Sequence, residues 1–141
     1  MIRYERLPSD ILQRIPSIGD LFNRDARVLF AYLFGGLASG ELRPLSDVDI
    51  AVFLKEPPED PAELKLSLFD SISDTLGTSE IDLVILNYSP ISLVGRVLQN
   101  KAILVDKEPY IRHRFESAKL REFFDFRIKE EAFFERRFAH G

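Results

Sequence analysis

The chain has 141 residues, 45% of them hydrophobic and 30% charged, which is enough for one core and too little for a second module. A formal net charge of −4 argues against a face built to wrap a nucleic-acid backbone, so no direct nucleic-acid binding is expected. The absence of cysteine excludes disulfides and thiolate metal sites, and no apolar run approaches the ~20 residues of a bilayer span, so a cytoplasmic protein without membrane contact is expected.

The N-terminus, Met1-Ile2-Arg3-Tyr4-Glu5, does not read as a signal peptide. Ser9 to Ile15 reads as a short helix capped by Ser9, and Pro16 predicts a break before a second helix from Ser17 to about Asn23. Arg27 to Phe34 is β-branched and aromatic enough for a buried strand. A glycine-rich turn over Gly35 to Gly40 and a polar loop through Pro44 to Ser46 lead to a second strand, Val48 to Leu54. Period-two alternation there puts Asp47, Asp49 and Ala51 on one side and Val48, Ile50 and Val52 on the other. The Pro-rich segment Glu56 to Pro61 is a loop, with Pro61 in the first turn of a helix that runs to Leu76 and stops at Gly77. Ile81 to Leu86 is a third strand, Pro90 opens a helix ending near Asn100, and Ala102 to Val105 is a short fourth strand. From Pro109 one long helix, straight or kinked, runs to about Phe138. The fold class is therefore α/β (α+β): a small mixed β-sheet flanked by helices, one domain over 1–141 with a helical C-terminal segment at about 109–138.

The stretch from Phe34 to Val52 carries the chemistry. Paired glycines, Gly35 and Gly36, let backbone N–H groups approach an anion without side-chain obstruction. A short helix starting between Leu37 and Gly40 would add partial positive charge at the same place. A dozen residues on, Asp47 and Asp49 enter a strand from one face. Adjacent buried carboxylates repel, and a divalent ion relieves that repulsion; Mg²⁺ favours a few carboxylates plus substrate phosphates. Asp82 sits near the start of another apolar strand. If that strand pairs beside Val48–Leu54, three carboxylates face one site, enough for two metal ions, with Asp82 in reach as a general base. The competing reading of Asp47 and Asp49 is a solvated strand edge, and of the glycines a tight turn. Ser46 is as well placed to cap its loop as to touch a ligand. His113, between Arg112 and Arg114, reads as part of a solvated helix face, and no second histidine stands at zinc-ligand spacing.

These residues resemble the signature of the DNA polymerase β-like nucleotidyltransferases, in which Gly-Ser is followed after ten residues by Asp-x-Asp. Here it reads Gly35-Gly36, then Leu37 to Ser46, then Asp47-Val48-Asp49. The chain is most similar to the minimal nucleotidyltransferase (MNT) antitoxins that work with HEPN-domain toxins, through Ser46 to Asp49, Ile81 to Val84, Asn87 to Leu98 with Arg96, and Arg114-Phe115-Glu116. The resemblance implies a polymerase β-like fold with a long C-terminal helix and ATP as substrate. It also implies two Mg²⁺ ions on Asp47, Asp49 and Asp82, and a nucleotide held by Gly35, Gly36, Ser39, Gly40, Arg43 and Ser46. The implied reaction moves AMP to a tyrosine of a cognate HEPN toxin ribonuclease.

Two positions depart from the pattern: Gly36 replaces the family's serine, and Ser39 stands where a basic residue is frequent. A charge-assisted phosphate contact contributes about 1.5–3 kcal/mol. These departures therefore keep open a second reading, an antitoxin of the same fold that neutralises its partner by binding alone. Transfer to a small molecule is disfavoured, because only the segment after Pro109 is left to build an acceptor pocket. That last helix carries Phe115, Phe123, Phe124, Phe126, Phe133, Phe134 and Phe138, more than one buried stripe needs. The alternatives are a helix enclosed by its own domain and a second surface buried by the toxin or, when the chain is alone, by a homodimer.

Overall fold

A computed structural model describes residues 7–39 and 47–138. The elements run α1 (Ile11–Arg24), β1 (Val28–Phe34), α2 (Gly35–Ala38), β2 (Val48–Leu54), α3 (Pro61–Leu76), β3 (Ile81–Ile85), a 3₁₀ turn (Leu86–Tyr88), α4 (Ile91–Gln99), β4 (Lys101–Asp106) and α5 (Pro109–Phe138). The four strands form one mixed sheet in the order β3-β2-β1-β4, with β2–β3 parallel and the other pairs antiparallel.

Both faces of the sheet are covered. On one, Ile11, Ile18 and Phe22 of α1 and Leu68, Ile72 and Leu76 of α3 pack on Val48, Ile50, Val52 and Leu54 of β2. On the other, Val94, Val97 and Leu98 of α4, with Phe115 and Leu120 of α5, pack on Phe30, Tyr32, Phe34 and Ala51. The alternation read from β2 is therefore the alternation between two cores.

Two expectations for the first helix fail. The residue at its N-cap is Asp10, without a side-chain cap bond, rather than Ser9. The predicted break at Pro16 does not occur; α1 is continuous from Ile11 to Arg24 with Pro16 inside it. Proline in a helix interior costs about 3 kcal/mol. Ile11, Ile18 and Phe22, spaced seven and four apart on one face, are fully buried, and each such side chain contributes about 1.5–3 kcal/mol. The three together outweigh one missing N–H, and Pro16 itself is exposed.

The other boundaries lie within two residues of their expected places. Asp60 caps α3, its side chain accepting the Glu63 N–H at 3.2 Å, with Pro61 as the first helical residue and Gly77 closing the helix at φ 72°. Beyond β3, the Asn87 side chain stands in for a strand neighbour. Its Oδ1 accepts the Leu54 N–H at 2.8 Å and its Nδ2 donates to the Leu54 carbonyl at 3.2 Å, satisfying an end of β2 that would otherwise lack a partner. No helix among the described residues is long and apolar enough to cross a membrane.

Candidate active site

The sheet brings one row of residues together at a single end. Lys101 of β4 pairs with Phe34 of β1, Phe34 with Asp49 of β2, and Asp49 with Asp82 of β3. Asp49 and Asp82 are direct partners on parallel strands, which fulfils the condition on which the sequence reading of Asp82 rested. Ala51 and Val84, two residues further along each strand, both belong to the core beneath α4 and α5, so the two carboxylates leave the sheet on that same face. Asp82 is exposed, Asp49 half-buried, and Asp47 half-buried immediately before β2.

Gly35 begins α2 directly where β1 ends, earlier than the helix start expected over Leu37 to Gly40, and takes φ 72°. A Cβ at this position would fall on the Asp49 carboxylate, so the glycine turn and the acidic strand meet with no space for a side chain. Gly36 follows it, exposed. Ser39 is exposed too, but its hydroxyl donates to Asn100 Oδ1 at 3.0 Å, while Asn100 Nδ2 donates to the Gly35 carbonyl at 3.2 Å. Asn100 thus clamps both ends of the α2 turn from the α4–β4 junction. The remaining expected nucleotide ligands, Gly40, Arg43 and Ser46, lie outside the described residues.

Asn100 and Lys101 were not singled out by sequence. In the sequence Asn100 marks only the end of α4, and its partner Gly35 is 65 residues away. The Lys101 ammonium donates to the Leu98 carbonyl at 3.3 Å, lies 3.8 Å from Glu116 and sits over the Tyr32 ring at 5.8 Å. It belongs to a polar cluster that fastens α5 to the sheet. Tyr32 donates to Glu116 at 2.7 Å, and Arg112 bridges Glu116 at 3.0 Å and Asp106 at 2.7 Å. Burial, and then the bond to Glu116, push the Tyr32 hydroxyl well above its ordinary range, so it stays a donor. Burial alone would raise the Glu116 carboxyl, but the bonds from Tyr32 and Arg112 outweigh it and hold the group below its ordinary value. His113 is exposed on the outer side of α5, as expected, with Nε2 3.2 Å from Arg112 Nη2.

The donor set can be tested against the implied Mg²⁺. Among the described residues, no three acidic, histidine or cysteine side chains stand close enough to form a ready-made cage. What is present is an adjacent carboxylate pair beside a backbone turn cleared of side chains. That is the chemistry of a hard cation that shares one or two carboxylates with phosphate oxygens and water. The residues fit such an ion in the company of a phosphate-bearing ligand.

Residues 17–110 match the family model described as polymerase beta, nucleotidyltransferase. No curated protein sequence matches the chain. Among solved structures, a mutant of the MntA–HepT toxin–antitoxin complex is similar with a TM-score of 0.71 at 19% identity, covering 87% of this chain and 96% of that one. The tri-AMPylated Shewanella oneidensis HEPN toxin in complex with MNT antitoxin is similar with a TM-score of 0.67 at 19% identity, covering 89% and 97%. A toxin–antitoxin structure with AMP-PNP is similar at 0.63 and 19%, covering 90% and 95%. At this level of identity the likeness is one of fold.

Proposed function

The chain belongs to the polymerase beta nucleotidyltransferase family, and on that premise we propose that it is an antitoxin that transfers AMP from ATP to a tyrosine of a cognate HEPN-domain toxin. The observation that carries this reading is the pairing of Asp49 with Asp82 beside Gly35, an acidic pair abutting a turn open to phosphate. Support for the acceptor comes from similar folds: one is complexed with a tri-AMPylated HEPN toxin, another contains AMP-PNP.

In this reaction the acceptor oxygen forms a bond to the α-phosphorus, the bond to the bridging oxygen of pyrophosphate breaks, and the acceptor proton is lost. Asp47 and Asp49 would hold Mg²⁺, which when bound supplies charge neutralisation for the triphosphate and the departing pyrophosphate. Gly35 and Gly36 present backbone to the phosphates. Asn100 keeps that turn in place through the Gly35 carbonyl and Ser39. Asp82, exposed on the edge strand, meets the incoming hydroxyl and takes its proton. The rest of the work is in-line positioning.

The experiment is incubation of the chain with α-labelled ATP, Mg²⁺ and the toxin. Label on the toxin, abolished by replacing its acceptor tyrosine with phenylalanine, is expected; absence of label under conditions where the two proteins bind would reject transfer. One observation favours the binding-only reading: the Ser39 hydroxyl is committed to Asn100, in a site that already has Gly36 in place of serine. An Asp47→Asn/Asp49→Asn variant decides between the two. Under the transfer mechanism it binds the toxin but leaves the ribonuclease active, whereas full neutralisation by this variant would establish the second reading.

A further inference from the structure

The distal half of α5 extends past the domain it is fastened to. From Phe124 to Arg137 every residue except Ala132 is exposed, while Phe123 is the last buried side chain among the described residues of the helix. The stripe does not end there. At 100° per residue, Phe123, Phe126, Glu130, Phe133, Phe134 and Arg137 fall in an arc about 100° wide, the same arc that Arg112 and Glu116 turn toward the sheet. Phe126, Phe133 and Phe134 are 37%, 56% and 51% exposed, so an apolar ridge continues into solvent on the face that was buried one turn earlier.

Two charges sit within this ridge, one of each sign. Glu130 stands three residues before Phe133, and Arg137 three residues after Phe134. Arg137 lies along the ridge, its guanidinium 5.9 Å from the centre of the Phe133 ring, and Phe133 meets Phe134 edge-on at 6.0 Å. We propose that a second copy of this chain covers the ridge, packed antiparallel about a two-fold axis between Phe133 and Phe134. Each Glu130 then faces Arg137 of the other copy. A two-fold exchanges positions equally spaced about its axis, so opposite charges placed symmetrically around an aromatic pair are complementary to themselves. A ridge meant for an unrelated surface has no need of that symmetry. The overlap is a few turns, less than the ~800 Å² per partner of a standard interface, so the dimer forms reversibly with concentration.

The test is sedimentation velocity of the full chain, without any other protein, from micromolar to millimolar concentration. A monomer–dimer equilibrium is expected. Glu130→Arg and Arg137→Glu each place like charges together at both symmetric contacts and weaken association by about tenfold or more. The double reversal restores it, and an equimolar mixture of the two single variants forms a mixed dimer. Circular-dichroism melts stay unchanged, because both positions are exposed. A chain that remains monomeric at every concentration, including one whose ridge is covered only when a different protein is added, overturns the proposal. So does a double reversal as weakly associated as the single variants.

Discussion

Gly35 joins the glycine turn, the proposed phosphate site, to the acidic strand in one residue. Its φ of 72° is a region where a Cβ is disfavoured by about 1–2 kcal/mol, and here that Cβ would also land on the Asp49 carboxylate. Gly35→Ala is therefore expected to lower stability by about 1–3 kcal/mol, read from the urea midpoint, and to reduce label transfer as Asp49 is displaced. Gly36 has no positive φ and is exposed, so Gly36→Ala leaves the midpoint within about 0.5 kcal/mol or raises it slightly. The contrast separates a backbone requirement from the mere presence of glycine. Both glycines are legible as a turn in the sequence, but their difference is not, since φ is set by how β1 hands over to α2. The role of Asn100 is not legible for a different reason: only the pairing of β1 with β4 carries that amide to Gly35.

Among the elements, α5 is held by the Tyr32–Glu116–Arg112–Asp106 cluster as well as by packing. Glu116 has its folded pKa depressed below the ordinary 4.5, so its contribution is complete above that value and disappears as pH falls through the folded value. Stability measured by thermal melts from neutral pH into the acid range should therefore fall below pH 4.5, and Glu116→Gln should flatten part of that fall. At neutral pH the same variant is less stable by about 1–3 kcal/mol, because Arg112, nearly buried, keeps only Asp106 as a charged partner. Glu116 lies in the Arg114-Phe115-Glu116 segment that carries the resemblance, but its bonds were not legible in the sequence, where Tyr32 is one more apolar-looking strand residue. The elements themselves were legible, because period two in β2, the helix stop at Gly77 and the proline start at Pro109 are local signals. Pro16 misled for the converse reason: its local cost is real, and the buried face of α1 that overrides it appears only once the sheet is in place.

At the scale of the molecule, the sheet is covered on both faces before α5 is half complete. Among the described residues the last buried α5 side chain is Phe123, which lies against Gly95 of α4 so closely that a Cβ at Gly95 would strike its ring. Everything the core requires of α5 is thus present by Phe123, and the long helix has two parts with separate tasks. Among the described residues, deleting 126–141 removes mostly exposed side chains and helical hydrogen bonds that stand in water. Those bonds contribute little net, since each is exchanged for bonds to solvent. The shortened chain is expected to melt within a few degrees of the full one, a shift matching a change of no more than about 1 kcal/mol. On the proposed function, it should bind Mg²⁺–ATP in calorimetry with the affinity of the full chain, because the Gly35–Asp49–Asp82 row is untouched. It should also fail to self-associate in the ultracentrifuge. A large drop in melting temperature would mean that the distal helix folds back on the domain in solution, contrary to its exposure here. Undiminished association would move the contact between copies away from Phe133 and Phe134.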